Sequence, residues 1–257
     1  MINNFVNMYD EVYFEESHII ELQQLARPER WENRHSNLSF KFPILRNYLN
    51  QTLKRLVTLH HEDNKGNFIY NHNSFLCFNT GLYTKNYEEI YGIMRRNDPK
   101  YRQKYRLDGF FQPSSPQLRE VRMLPSRAYY FNDISEIYYN TKYDLRINID
   151  HILDDETNKE RIPEEYREDK MLAFRFKDMA IKYAKLRIEE NYKTAVPQFY
   201  GGRVQFLIPI SLGDPDVVDL ALVVNREKSI YTGRTCLTLD MAYNNARLIA
   251  KPESDWL

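Results

Sequence analysis

The chain has 257 residues, 42% hydrophobic and 28% charged, a balance that fits a globular protein and excludes a disordered one. Its 36 basic residues meet 36 acidic ones, so a polyanionic partner has to be held by a local basic patch and not by an overall field. Two distant cysteines, Cys77 and Cys236, exclude a disulfide framework and a four-cysteine zinc site and fit a reducing compartment.

The opening Met1-Ile2-Asn3-Asn4 lacks the basic and apolar regions of a signal peptide. Apolar runs such as Leu220 to Val224 are too short to span a bilayer, so a cytoplasmic protein without membrane attachment is expected. The 20 tyrosines stand out against 2 tryptophans. A tyrosine offers a stacking face and a hydroxyl together, which suits interfaces and base-binding surfaces as well as cores.

In chain order, a first helix is expected over Glu15–Ala26, before Pro28. A second runs from Ile44 to Leu59, with Pro43 at its start and an apolar stripe through Leu45, Leu49, Leu53 and Leu56. A polar turn over His60–Asn67 leads to strand-like runs at Phe68–Tyr70 and Phe75–Asn79. The spacing predicts a third helix over Tyr87–Arg96, stopped by Asn97-Asp98-Pro99. The stretch Lys100–Pro163 reads as irregular, except that Asp144–Ile149 alternates as a strand does.

The longest predicted helix covers Glu164–Glu190. Alternation at Val204–Ile210, Val218–Val224 and Tyr231–Leu239 then describes an antiparallel meander, and a final helix starts at Thr238 or Asp240. Strands and helices mix without a regular βαβ rhythm, so the expected class is α+β, with a mixed, mainly antiparallel sheet. The expected organisation is one domain over 1–257: a helical region to 64, mixed strands, helix and loops over 65–163, and the long helix, meander and final helix over 164–257.

Four clusters carry candidate chemistry. On the final helix, 100° spacing puts Met241, Ala242, Leu248 and Ile249 on a buried side, with Asn245 tying that side to the sheet. Asp240, Tyr243, Asn244 and Arg247 fall on the opposite, polar side, which the bland reading leaves as a solvated surface. Before the meander, Lys193 is placed to contact a phosphate or carboxylate, and Pro197 holds extended backbone that presents Gln198. Strand alternation puts Asp144, Arg146, Asn148 and Asp150 on one face leading to His151, a candidate to give or take a proton. Finally, the strand end at Asn79-Thr80-Gly81 turns where backbone N–H groups can meet an anion. No metal-ligand spacing, P-loop or dinucleotide fingerprint is present, so no cofactor is expected.

These segments resemble one known family. The match runs from Leu25-Ala26-Arg27-Pro28-Glu29-Arg30-Trp31 through Phe78-Asn79-Thr80-Gly81-Leu82, Leu145-Arg146-Ile147-Asn148 and Asn191-Tyr192-Lys193-Thr194. It closes on Thr238-Leu239-Asp240-Met241-Ala242-Tyr243-Asn244-Asn245-Ala246-Arg247 and on Trp256-Leu257. Together they resemble the bacterial family labelled domain of unknown function 3825. The resemblance implies an RNA context, since relatives carry the domain beside cold-shock or LOTUS winged-helix modules, and it supplies no catalytic residues.

The expectation is therefore an RNA-associated domain that binds or processes a nucleotide or RNA end. Its cleft would be lined by Asn79, Thr80, Gly81, Arg146, Asn148, Lys193, Gln198, Tyr243 and Asn244. If it is an enzyme, His151 and Asp240 would be the acid–base pair acting on a phosphoester or glycosidic bond, with Arg247 steadying charge. The alternative is a non-catalytic scaffold whose tyrosine-rich surface docks a protein.

Overall fold

The computed structural model describes residues 7–34, 39–63, 66–73 and 75–257, so the opening Met1-Ile2-Asn3-Asn4 lies outside the described residues. The chain divides into two units, Met1–Tyr129 and Tyr130–Leu257, each built on its own five-stranded sheet.

The N-terminal unit begins with α1 (Met8–Glu11), β1 (Val12–Tyr13) and α2 (Glu16–Leu25). In α3 (Pro43–Glu62), the proline occupies the first turn, where its missing N–H has no helical partner to lose. Leu45, Leu49, Leu53 and Leu56 are fully buried at the expected spacing, and α3 packs on the sheet. The predicted turn over His60–Asn67 starts late, because His60, His61 and Glu62 continue the helix. Asn64 and Lys65 lie outside the described residues.

The strands are β2 (Ile69–His72), β3 (Phe75–Tyr83), β4 (Glu89–Arg96) and β5 (Tyr105–Phe111), ordered β1-β5-β4-β3-β2. All pairs are antiparallel except β1 with β5. Two expectations fail here. The segment predicted as a helix over Tyr87–Arg96 is the central strand β4, and part of the supposedly irregular stretch is β5. Ile90 to Met94 are buried on both faces, so the run shows no alternation to read. In β5, Asp108-Gly109 reads as a turn signal, whereas Gly109 instead takes φ +142° at a register shift between β4 and β5.

The C-terminal unit holds β6 (Asp144–Ile147), α4 (Ile149–Asp154), α5 (Glu156–Arg161) and α6 (Glu164–Arg167). A 19-residue helix α7 follows as Leu172–Phe174, Arg175–Ala180 and Ile181–Glu190, its middle segment π-helical. It is shorter than the predicted helix over Glu164–Glu190. Asp169 breaks that run: its carboxylate accepts from Met171 N at 2.8 Å and pairs with Arg175 at 2.7 Å. Then come β7 (Val196–Tyr200), β8 (Arg203–Ile210), β9 (Leu220–Glu227), β10 (Ile230–Leu237) and α8 (Leu239–Ala246).

The sheet order is β6-β10-β9-β8-β7, antiparallel except where β6 runs parallel to β10. One face is apolar. Phe206, Ile208, Leu220, Leu222, Val224 and Tyr231 meet Phe176, Ala180, Ala184 and Ile188 of α7 in one core cluster. Tyr139 stacks on Tyr231 with centroids 4.2 Å apart and planes 13° apart. Burial pushes both phenols above their ordinary range. The fold is thus α+β, with two mostly antiparallel sheets and helices interspersed.

Gly92 sits opposite Phe78 in the β3–β4 register, and a Cβ there would come within 2.4 Å of the fully buried Phe78 ring. Gly92→Ala is expected to destabilise the protein by about 1–3 kcal/mol through overpacking. Urea denaturation checks this.

Candidate functional site

The apolar face of the C-terminal sheet is matched by a polar one. Gln198 on β7 lies opposite Gln205 on β8, and Asn225 on β9 lies opposite Thr232 on β10, which in turn lies opposite Arg146 on β6. The amides form a directed chain. Asn245 of α8 donates from Nδ2 to Gln198 Oε1 at 3.1 Å, Gln198 Nε2 to Gln205 Oε1 at 2.8 Å, and Gln205 Nε2 to Asn225 Oδ1 at 2.8 Å. Gln198 is 1% exposed, so both its polar atoms are used inside the protein. Asn245 does tie α8 to the sheet, through a side chain of β7 and not through its backbone.

Thr238 caps α8, its side chain accepting from Met241 N at 3.4 Å. The expected division of this helix is corrected. Met241, assigned to the buried side, is 38% exposed, whereas Asp240, Tyr243 and Arg247 of the expected polar face are buried. The buried stripe is Ala242, Tyr243 and Ala246, a spacing of one and three residues that helical geometry also allows. None of Asp240, Tyr243 and Arg247 is without a partner. Asn244 donates from Nδ2 to Asp240 O at 2.9 Å, while its buried Oδ1 accepts no bond.

The strand face through Asp144 and Arg146 ends sooner than the alternation implies. Asn148 is the N-cap of α4 and accepts from His151 N at 3.1 Å, so Asp150 and His151 lie on a helix. Ile152 of α4 belongs to the core on the apolar face of the sheet. Asp240 stands on α8, which is bonded to the polar face. His151 is exposed on α4, whereas Asp240 is 5% exposed on α8.

Arg146 and Asn148 line a groove of 870 Å³ together with Lys177, Arg234, Glu227 and Asp178. Its three cations face three carboxylates, Asp150 being the third. Such a groove has no preference for an anion. Asn158, which sequence reading missed, is 2% exposed and pins the adjacent bulge of β10 by bonding Arg234 O at 3.3 Å and Cys236 N at 3.1 Å. Its role is structural.

Lys193 lies on the single turn Tyr192–Thr194 after α7. The segment 251–257 folds against that turn: Ser254 Oγ donates to Lys193 O at 2.6 Å and Trp256 Nε1 to Thr194 O at 3.0 Å. On one side of this contact is a 660 Å³ groove where Glu190, Asp216, Glu253 and Asp255 outnumber Arg187 and Lys193. On the other is a 450 Å³ groove lined by Tyr138, Tyr192, Lys193, Pro197, Ile249 and Lys251. In the second groove the two lysines face a single carboxylate, Glu253, 3.9 Å from Lys193 Nζ. Tyr138 and Tyr192 are 54% and 60% exposed, with ring centroids 6.1 Å apart. Tyr138 was missed because it falls in the stretch read as irregular.

The remaining predicted residues belong to the N-terminal unit. Asn79 and Thr80 are fully buried. Asn79 accepts from Gly81 N at 2.9 Å and donates to Pro125 O at 3.3 Å, while Thr80 donates to Ile90 O at 2.7 Å and accepts from Leu82 N at 3.2 Å. The N–H groups of this turn are taken by its own side chains, so they are not offered to an anion. Gly81 is required there by φ +76° and by Tyr48, whose hydroxyl would lie 2.5 Å from a Cβ.

Burial pushes the thiols of Cys77 and Cys236 up to about 12, so neither is a nucleophile near neutral pH. Among the described residues no group of three or more His, Cys, Asp or Glu is placed to hold a metal ion, and no helix is long and apolar enough to cross a membrane.

The sequence model of the family described as Domain of unknown function (DUF3825) matches residues 22–256. No curated protein and no solved structure matches the chain.

Asn245→Ala is expected to lower the unfolding free energy by about 1–3 kcal/mol, because it leaves Gln198 Oε1 buried and unmet. Asn244→Ala removes an acceptor that is already unmet, and is expected to cost less. Equilibrium denaturation of the two variants side by side gives the order.

Proposed function

The chain belongs to the DUF3825 family, and we propose that it binds single-stranded RNA or a nucleotide through the tyrosine-lined groove of its C-terminal unit. The observation that carries this reading is the exposed Tyr138–Tyr192 pair beside Lys193 and Lys251. Exposed rings cost hydration without returning core packing, and a base stacked on them recovers that cost. Lysines at the rim supply the phosphate contact. The groove at Arg146 is charge-balanced and the one beside Asp216 is acidic, so neither carries an excess of cations for a phosphate backbone.

We assign no reaction. Of the residues expected to carry chemistry, Asp240 and Arg247 are buried, at the first turn and the C-cap of α8. The role is binding or positioning of an RNA segment.

A second reading has one observation in its favour. Ile134, at the edge of the same groove, is 71% exposed, which suits a protein partner that covers apolar surface. Fluorescence anisotropy with a labelled oligouridylate separates the two. On the RNA reading, Tyr138→Ala/Tyr192→Ala weakens binding by about tenfold or more with an unchanged melting temperature, in line with the stacking contribution per base. Unchanged RNA affinity in that variant sinks the RNA reading of the groove and leaves the protein-docking one.

A further inference from the structure

In the N-terminal unit, four side chains stand in a row: Arg27, Tyr87, Tyr83 and Arg127. The guanidinium of Arg27 lies 3.9 Å from the Tyr87 ring centroid, the Tyr87 and Tyr83 centroids are 6.5 Å apart, and the guanidinium of Arg127 lies 4.8 Å from the Tyr83 centroid. The backbone fixes both ends. Arg27 N donates to Tyr83 O at 2.8 Å beside the Ala26–Thr84 bridge, and Arg127 Nη2 donates to Gly81 O at 3.1 Å. Arg27 Nη1 reaches Lys85 O at 3.4 Å.

The charges of this row are not neutralised locally. Arg27 is held by a carbonyl and the Tyr87 ring face, and Arg127 by the Gly81 carbonyl and the Tyr83 hydroxyl, to which its Nη1 donates; among the described residues neither is in an ion pair with a carboxylate. Lys85 is exposed in the same turn, so three cations stand there against Glu88 and Glu89, the latter opposite Tyr83 in the β3–β4 register and bonded by the Tyr91 hydroxyl. In a chain of zero net charge, this is a local basic patch of the kind a polyanion requires.

Tyr87 adds the second half of the argument. It is 68% exposed and adopts φ +64°, a left-handed conformation that is unfavourable for a bulky residue. The turn that holds it is built around Thr84, which is 3% exposed. Thr84 Oγ1 accepts from Asn86 N at 3.3 Å and Glu88 N at 3.2 Å, and Tyr87 N donates to Thr84 O at 2.9 Å. Asparagine or glycine would fill this position with less strain, yet an aromatic ring is displayed to solvent with a cation on its face.

We propose that this row is a binding site for single-stranded nucleic acid, distinct from the tyrosine groove and not dependent on it. Arg27 and Arg127 take backbone phosphates through their outward N–H edges, and Tyr87 takes a base. Nucleic acid is favoured over an acidic protein segment because two rings lie between the two cations, so a strand can set bases on the rings while its phosphates meet the arginines.

The test uses the full chain, a labelled oligouridylate and a salt series. Arg27→Gln/Arg127→Gln is expected to weaken binding at low salt about tenfold or more, and to reduce the slope of log affinity against log salt by about 1.4, the loss of two phosphate contacts on a single strand. Tyr87→Asn, which accepts the left-handed turn and lacks the ring, is expected to weaken binding without lowering the melting temperature. Unchanged affinity and slope in the arginine variant overturn the proposal, as does a wild-type chain that fails to retain the oligonucleotide. Polyglutamate competing as well as oligouridylate would assign the row to an acidic protein and also overturn it. Loss of binding in the arginine variant with retention in Tyr138→Ala/Tyr192→Ala keeps this site and removes the groove, and the reverse pattern does the opposite.

Discussion

The C-terminal unit depends on a chain of side-chain amides laid across its sheet. A sheet that buries one face under a helix has to do something with the other, and here Asn245, Gln198, Gln205 and Asn225 solve the problem together. An amide buried alone carries a penalty on the order of a few kcal/mol, but Gln198, Gln205 and Asn225 each offer a carbonyl to the N–H of the amide before. The chain closes only if β7, β8 and β9 keep one register, and only if α8 presents Asn245 at one height above β7. Register, helix placement and the seating of the segment after α8 therefore follow from the same set of bonds. A slip of one residue would put Phe206 where Gln205 stands and break both faces at once.

That constraint explains why the final helix defeats a reading by hydrophobicity. Its seat is chosen by Asn245, whose partner lies on the sheet, and by two alanines small enough to let the backbone approach. The side chains that follow from this seat are Tyr243 and Asp240, so polar groups are buried and Met241 is left to solvent. Helical spacing identifies which residues share a side. Which side is buried was decided here by hydrogen bonding, and a hydropathy count does not contain that information.

Much of the fold was legible where one face of an element meets water. The stripe of α3 and the alternation of β8, β9 and β10 are of this kind, because their periods record a boundary between core and solvent. The central strand β4 has no such boundary and was read as a helix, since Ile90 to Met94 are buried throughout. The strand β5 was hidden by Asp108-Gly109, a turn signal used inside a sheet. Among the site residues, Lys193 is an exposed cation on the turn after α7, with Tyr192 beside it. Asn79, Thr80 and Gln198 were legible as special positions but not as structural ones, because a buried polar group with a partner and an exposed one awaiting a ligand look alike in sequence. Tyr138, Tyr83 and Arg127 gave no signal, as their neighbours come from distant parts of the chain.

Zero net charge limits where a polyanion can be held, and the two units meet that limit in related ways. Elsewhere several cations sit beside carboxylates: Arg95 and Arg106 both reach Asp108, and Arg175 reaches Asp169. Such pairs cancel at a distance and leave little field for a ligand. Arg27 and Arg127 instead rest on carbonyls and tyrosine side chains, partners that orient a guanidinium without neutralising it. Tyrosine faces are weakly attractive to cations and equally able to stack a base, so the residue that holds the charge in place also supplies a second kind of contact. The abundance of tyrosine in this chain therefore has a physical consequence beyond core filling: it allows positive charge to stand unpaired at chosen points while the chain as a whole stays neutral.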